Sequence, residues 1–168
     1  MRIRQGDVRD WPFMYSLAKI GILDSISPWR KQATEETLNY RETILKGFWA
    51  WIQQSGSTVF IAEVPVEKRK SGSETEKNQP IGYLVLHASS REEITGVNQG
   101  WIMDLEVLQE WRGKGAGKML LKAAEHHCRE LRVPYIGLAV TSHNVRALRL
   151  YEKFGYAEER KLMVKLLE

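Results

Sequence analysis

The sequence is poor in cysteine and has no long hydrophobic run. Cys128 is the only cysteine among 168 residues, which excludes an intramolecular disulfide or a cysteine-based metal site and fits a reducing compartment. No stretch approaches the roughly 18 apolar residues that a membrane-spanning helix needs. Residues 1–7, MRIRQGD, have no apolar run behind their positive charges, so no secretion signal is predicted there. We therefore expect a cytoplasmic protein without a membrane span.

Charge of one sign is not in large excess either. The 25 Lys and Arg residues against 21 Asp and Glu leave a net charge of +4. This excess suits an anionic ligand, but nucleic-acid binding would need a clustered basic face with interleaved aromatic residues, which the sequence does not display. His126, His127 and Cys128 are consecutive on a predicted helix, about 100° apart, so they cannot converge on one metal ion. We expect neither a nucleic-acid partner nor a metal.

The hydrophobic pattern predicts alternating strands and helices. Strands are predicted at 1–4, 58–64, 81–87, 100–107, 135–140 and 158–166, and helices at 7–20, 34–54, 115–131 and 144–154. The strand at 135–140 reads as buried. The tryptophans of the second helix read as core packing. This order predicts an α/β fold with a mixed sheet.

Residues 65–80 are almost free of apolar side chains, and their sequence is PVEKRKSGSETEKNQP. Such a segment has little to bury and could link two domains. We favour a mobile hairpin loop, because neither side of it holds a complete set of strands and helices. The expectation is one domain over residues 1–168.

A glycine-rich loop lies between the fourth predicted strand and the third predicted helix. Gly113, Gly115 and Gly117 alternate within 111–118, WRGKGAGK, and let the backbone turn and approach a ligand closely. Free N–H groups at the helix start would bind phosphate oxygens. The loop fits neither the P-loop nor the dinucleotide fingerprint, because Met119 and Lys118 stand where those motifs need Ser or Thr and Gly. The loop does fit the pattern R-x-x-G-x-G, with Arg112, Gly115 and Gly117. A glycine-rich turn that binds no ligand is the alternative interpretation.

The following helix carries a second pattern. Asn144, Ala147 and Tyr151 lie at helical spacing on one face. By itself this pattern is explained as well by an Asn144 cap and a packed Tyr151.

Together, R-x-x-G-x-G and the downstream N-x-x-A-x-x-L-Y-x-x-F-G-Y resemble the GNAT superfamily of N-acetyltransferases, as does D-L-E-V at 104–107. The resemblance covers about Trp101–Tyr156. It implies a mixed, mostly antiparallel sheet that is splayed at the centre, with about four flanking helices. It also implies transfer of an acetyl group from acetyl-CoA to a primary amine by direct attack in a ternary complex.

The resemblance also implies a cofactor site. The strand at 100–107 would diverge from 135–140 through a bulge near Leu105–Glu106, and the pantetheine arm would pair with the exposed backbone. A backbone N–H near Val107 would polarise the thioester carbonyl. Tyr151, whose ordinary pKa is near 10, would protonate the departing thiolate. The implied cofactor-binding residues are Leu105, Val107, Arg112, Gly113, Lys114, Gly115, Ala116, Gly117, Lys118, Asn144 and Tyr151.

The general base is where this sequence departs from the family pattern. Several members place Glu or His early on the strand before the loop, at the positions held here by Trp101 and Met103. Asp104 is the first candidate, Glu106 the second and His87 the third, with transfer through water as a further route.

The acceptor is left open among a protein N-terminus, a lysine, a polyamine and other small amines. Its pocket is expected from 21–32, the second helix and a loop at 88–99, including Asp24, Trp29, Glu35 and Glu36. The main alternative function is an acyl-CoA-binding domain with little transferase activity that serves regulation or partner binding. The chain could be a monomer or a homodimer.

Overall fold

The computed structural model describes residues 1–65 and 78–167. Its strands are β1 (Arg2–Gln5), β2 (Thr58–Pro65), β3 (Asn78–Arg91), β4 (Asn98–Val107) and β5 (Tyr135–Leu138). Its α-helices are α1 (Trp11–Gly21), α2 (Thr34–Gln54), α3 (Ala116–Glu130) and α4 (Val145–Lys153), with short 3-10 turns at Val8–Asp10, Ile22–Ser25 and Gln109–Trp111. The described strands form one sheet in the order β1-β2-β3-β4-β5. The first four are antiparallel and β5 is parallel to β4, which confirms the mixed α/β fold.

The two faces of the sheet bury separate sets of side chains. Along β3, Leu84 and Leu86 pack with α3 residues such as Leu120. Tyr83 and Val85 point to the opposite face and pack with α1 and α2. This separation follows from the two-residue period of a strand. On β4, Leu105 and Val107 likewise pack on the α3 face.

The sheet splits at its β4–β5 edge, as expected from the resemblance. β5 pairs with β4 only from Gln99 to Ile102, so the rest of β4 has no pairing with β5. The bulge, however, does not lie at Leu105–Glu106. Val85 pairs with Asp104 and Leu86 with Ile102, so Met103 is the extra residue. The irregularity therefore coincides with the point where β5 leaves β4.

Two expectations for the last third of the chain were wrong. Residues 158–166 form no strand in the structure, and Leu162 and Met163 are 90% and 83% exposed. Partial alternation suggested a strand, but alternation alone does not supply a partner for the backbone. β5 is also not buried, because β4 is its only partner among the described residues, and Tyr135 is 64% exposed.

Strand ends account for most other differences. Pro65 and Asn78–Pro80 belong to β2 and β3, not to a loop; the rest of the predicted loop, 66–77, lies outside the described residues. The predicted loop 88–99 shrinks to 92–97, because β3 and β4 extend on either side of it.

The two N-terminal helices follow the predicted pattern closely. Helix α2 begins and ends where it was predicted, and Asp7 caps the first helical segment through the Arg9 N–H. The tryptophans of α2 pack as expected, since the Trp49 and Trp11 rings lie 5.7 Å apart and Trp51 stacks on Phe48. Among the described helices, none is both long and apolar enough to cross a membrane.

Candidate active site

The glycine-rich loop forms the start of α3. Gly113 and Gly115 have φ angles of +78° and +94°, a region that L-residues with a side chain rarely adopt. Gly115 is the N-cap of α3. Helix geometry leaves the N–H groups of Ala116, Gly117 and Lys118 without a partner inside the helix. The loop therefore presents donors and a positive helix end to an anion.

Arg112 is directed away from this cradle. Its Nη1 lies 2.7 Å from Asp24 Oδ2, its Nε donates to the Val107 carbonyl at 2.9 Å, and its Nη2 lies 3.8 Å from Glu106 Oε2. The backbone N–H of Arg112 donates to the Gln109 carbonyl. Arg112 thus fixes the end of β4, while Lys114 and Lys118 lie over the Trp111 and Phe154 rings beside the loop.

The backbone of β4 faces the split at Val107. The Leu108 N–H donates to Ile81 of β3 at 2.9 Å. Backbone polar groups of successive strand residues point to opposite sides, so the Val107 N–H and C=O point away from β3, as do those of Leu105. The Arg112 bond to the Val107 carbonyl agrees with this direction. The split consequently offers a strand edge that an extended ligand can pair with.

Helix α4 brings Asn144 and Tyr151 to the same region. Asn144 is the N-cap, and its Oδ1 accepts from the Ala147 N–H at 3.2 Å, which leaves the side-chain NH₂ as a donor. Tyr151 is half-buried against the α3-side core. The pKa of Tyr151 is raised to about 12, mainly by burial and also by the charges of Glu106 and Asp104. The phenol therefore stays protonated over the whole neutral range.

Asp104 is held by two donors. Tyr83 Oη donates to its Oδ2 at 2.9 Å, and Arg41 Nη2 lies 2.7 Å from the same oxygen. Burial raises the pKa of Asp104, and the Arg41 charge together with these hydrogen bonds partly offsets the increase. The side chain ties β4 to β3 and α2, and only 13% of it is exposed.

Glu106 is surrounded differently. Its carboxylate contacts the backbone of Gly21 at the end of α1, and its closest cation, Arg112, is 3.8 Å away. The pKa of Glu106 is raised to about 8, mainly by burial and also by the Asp104 charge, while the Arg112 charge opposes the increase. A carboxyl group with such a pKa exchanges its proton near neutral pH.

An open groove of about 450 Å³ adjoins the site. It is lined by Leu23, Asp24 and residues 143–146, so it joins the segment after α1 to the start of α4. Asp24 bridges Arg112 and Arg146 across it, at 2.7 and 3.5 Å. Of the other expected acceptor-pocket residues, Trp29 is 71% exposed, and Glu35 and Glu36 are exposed in the first turn of α2.

His87 is not brought to this site. It pairs with Trp101 where β4 and β5 are still joined, and its Nδ1 lies 3.2 Å from Ser57 Oγ. Glu106 is opposite Tyr83, four residues earlier on β3, which is about 13 Å along the strand. Among the residues that the structure describes, no group of three or more His, Cys, Asp or Glu could hold a metal ion.

Sequence reasoning missed Arg41, Tyr83 and Gly21. Arg41 had a readable signal, because it interrupts the apolar stripe of α2 at helical spacing between Leu38 and Leu45. A charged residue on a core-facing stripe needs a partner. No local pattern marked Tyr83, which lies in a continuous apolar strand, or Gly21, which reads as a helix end.

The comparison with protein families identifies the same region. The sequence matches the Acetyltransferase (GNAT) family over residues 23–156. The uncharacterized N-acetyltransferase YycN of Bacillus subtilis (strain 168) is 31% identical over 87 residues, which are 52% of this chain and 54% of that protein. The spermine/spermidine N(1)-acetyltransferase of the same organism is 37% identical over 57 residues, 33% of this chain and 38% of that one. The chain spans about half the length of YycN and less of the second relative.

Solved structures agree on the fold. A Pyrococcus furiosus protein superposes with a TM-score of 0.75 and 23% identity over 99% of both chains. The ribosomal-protein-alanine N-acetyltransferase of Brucella melitensis biovar Abortus 2308 gives a TM-score of 0.63 and 18% identity over 99% of this chain and 100% of that one. The family match extends over most of the chain, and the split sheet and glycine-rich loop lie within it. The chain belongs to the acetyltransferase (GNAT) family.

Proposed function

We propose that the protein transfers an acetyl group from acetyl-CoA to a primary amine by direct attack in a ternary complex. The observation that carries this proposal is the position of Glu106 and Tyr151. Glu106 lies on the part of β4 that pairs with β3 but not with β5, and Tyr151 is close enough for the Glu106 charge to raise its pKa. One group can accept a proton near neutral pH, and the other keeps its proton.

The residues around the split fit acetyl-CoA. The first N–H groups of α3, from Ala116 to Lys118, suit the pyrophosphate, and the β4 backbone at Leu105 and Val107 suits the pantetheine amides. The side-chain NH₂ of Asn144 supplies a donor on the opposite wall. When bound, acetyl-CoA supplies an acetyl thioester that an amine can attack.

Glu106 is the proposed proton acceptor. An alkylammonium group has a pKa near ~10.4 and must lose a proton before its nitrogen attacks. Transfer to a carboxylate with a pKa of about 8 is much less unfavourable than transfer to one with the ordinary value near ~4.3. The contacts favour Glu106 over Asp104, because Asp104 already accepts from Tyr83 and Arg41.

Tyr151 and the Val107 N–H are the proposed donors. The Val107 N–H polarises the acetyl carbonyl while the amine nitrogen forms the C–N bond. As the C–S bond breaks, the Tyr151 hydroxyl donates its proton to the sulfur, and the resulting phenolate takes the proton that the attacking nitrogen still carries. With a pKa of about 12, Tyr151 is a weaker acid than a tyrosine with the ordinary pKa near ~10. Once Glu106 has taken a proton, its charge no longer raises the pKa of Tyr151, so the donor improves when it is needed.

The proposed acceptor is a primary amine. The named relatives include a spermine/spermidine acetyltransferase and a mycothiol acetyltransferase from Nocardiopsis dassonvillei, which is 35% identical over 71 residues, 42% of this chain and 22% of that one. Both names describe acetylation of a small molecule, so small amines lead the candidates, ahead of a lysine or a protein N-terminus.

An amine panel tests the proposal. The protein and acetyl-CoA are incubated with one class of amine at a time, namely polyamines, lysine peptides and N-terminal peptides, and thiol release is followed. The expected result is amine-dependent thiol release with at least one class. Tight binding of acetyl-CoA without thiol release on any amine would instead support an acyl-CoA-binding domain that serves regulation or partner binding. The absence of Glu or His at positions 101 and 103 favours this alternative.

Gly115→Val should weaken CoA binding by at least ~10-fold, or about 1.4 kcal/mol. A side chain at Gly115 meets no atom within 4 Å, but the φ of +94° would be strained and the cradle N–H groups would turn. Gly96→Val is the matched control, since Gly96 has a φ of +69° and open space in the turn before β4. Titration calorimetry should show weakened CoA binding for Gly115→Val only. Equal CoA affinity in both variants would place the pyrophosphate elsewhere.

Asp104→Ala should reduce stability more than it changes catalysis. Removing the carboxylate leaves the mostly buried Arg41 and the Tyr83 hydroxyl without their acceptor, and breaking a buried pair in this way typically costs ~3 kcal/mol. Urea denaturation measures the stability, and the pH dependence of kcat measures the catalytic role. Loss of the acidic limb with unchanged stability would make Asp104 the base.

A further inference from the structure

We infer that Gly21 is a positioning residue for Glu106, because its missing side chain leaves the space in which the carboxylate is held against the end of α1. This inference rests on the proposed role of Glu106 as proton acceptor. A Cβ built on Gly21 would overlap the Glu106 Cδ and both carboxylate oxygens. Among the glycines of the described residues, Gly21 is the only one whose Cβ would meet a carboxylate.

The backbone at Gly21 does not itself require glycine. Its φ of −59° and ψ of −28° are helical, a conformation in which alanine is more favourable than glycine by about 1 kcal/mol. Gly21 is also buried. Local structure therefore favours a larger residue here, and the Glu106 carboxylate is the feature that excludes one.

The end of α1 also sets the charge around Glu106. The last carbonyls of a helix carry partial negative charge, which disfavours a carboxylate beside them. Three residues further on, Asp24 holds Arg112 at 2.7 Å, so Arg112 stays 3.8 Å from Glu106 and makes no close ion pair with it. The segment from Gly21 to Asp24 thus keeps Glu106 mostly buried, with 15% of its side chain exposed, and only weakly paired.

Charged groups from four neighbouring elements act on the pKa of Glu106: Asp24 after α1, Arg41 on α2, Asp104 on β4 and Arg112 before α3. Tyr83 on β3 and Tyr151 on α4 are the neighbouring titratable groups, and the Glu106 charge raises the pKa of each. Burial is the largest single cause of the raised pKa of Glu106. A methyl group at Gly21 would push the carboxylate out of its buried position and so reverse the largest of these influences.

The experiment compares Gly21→Ala with Gly47→Ala, the same change in the middle of α2 where a Cβ meets no atom within 4 Å. The first readout is an NMR titration of the Glu106 carboxyl carbon, assigned with Glu106→Gln. Its midpoint should fall by at least one pH unit in Gly21→Ala and stay at the parent value in Gly47→Ala. This readout needs no acceptor, so it decides the Gly21 inference even if no amine is acetylated.

The second readout is kcat in a double-mutant cycle. Gly21→Ala should lower kcat at least ten-fold in the parent and less than two-fold in the Glu106→Gln background, because the carboxylate it acts through is gone. Pairing Gly21→Ala with Glu106→Asp, one methylene shorter, should restore a raised midpoint, and it provides a foldable variant if Gly21→Ala is unstable. An unmoved midpoint in Gly21→Ala, or equal losses of kcat in both backgrounds, overturns the inference. Absence of acetylation by the parent protein overturns the proposed function alone.

Discussion

Glu106→Gln should lower kcat for a good amine by ~10²–10⁴-fold at pH 8.5, the usual range for a lost general base. In the parent, kcat should rise with pH until it passes the Glu106 pKa of about 8 and then level off, because the carboxylate must be ionised to take a proton. Measuring kcat at saturating amine removes the titration of the free amine from the profile. In Glu106→Gln this acidic limb should disappear.

Glu106→Gln should stabilise the protein at high pH, although it lowers kcat. The folded-state pKa of Glu106, about 8, lies above the ordinary value of 4.5, so the folded protein holds this proton more tightly than the unfolded chain. Glu106 therefore costs stability as pH rises above 4.5, and the cost levels off only once pH has passed about 8. Glu106→Gln should raise Tm relative to the parent at pH 9 and not at pH 4.5. An unchanged kcat profile with an unchanged Tm at both pH values would remove Glu106 from the mechanism.

Tyr151→Phe should lower kcat by ~10²-fold, near the lower end of the usual range for a lost general acid. The lower end is expected because a pKa of about 12 makes Tyr151 a weak acid. Removing one hydroxyl changes almost no volume, so packing against the α3-side core should survive, and CoA affinity should stay within two-fold of the parent. Rapid-quench kinetics with a good amine measure kcat, and calorimetric titration measures the CoA affinity.

Tyr156→Phe is the matched control for this change. The Tyr156 ring lies 5.7 Å from that of Tyr151, and its hydroxyl is buried without a hydrogen-bond partner among the described residues. Removing that hydroxyl should leave kcat nearly unchanged. Undiminished turnover in Tyr151→Phe would return Tyr151 to the packing role that its helical position alone suggests.

The parts of the site that follow from local sequence were predictable. Alternating glycines before a helix indicate positive φ angles and free N–H groups wherever the loop is placed, and Gly113 and Gly115 have such φ angles. Helix α2 was predictable for the same reason, since its apolar stripe repeats at 3.6 residues. The Asn144 cap likewise depends only on its own helix.

The parts that depend on distant contacts were not. Arg41 lies 63 positions before Asp104 and pairs with it, and nothing near Asp104 in the sequence shows this pairing. Glu106 lies against Gly21, and the sequence around Gly21 indicates only a helix end. The bulge lies at Met103 and not at the predicted Leu105–Glu106, because the pairing of β4 with β3 sets its position. The prediction of a strand at 158–166 was wrong, because a strand needs a neighbouring strand to pair with, and alternation in the sequence does not provide one.

The most direct test of the proposed reaction counts both products of one turnover. The protein is mixed with a limiting amount of acetyl-CoA and the best amine of the panel, and free CoA and N-acetylated amine are quantified together by mass spectrometry. Equal amounts of the two products, with both formed far more slowly in Glu106→Gln, are expected. Free CoA without acetylated amine, or acetyl-CoA that stays bound and intact, would contradict acetyl transfer at this site.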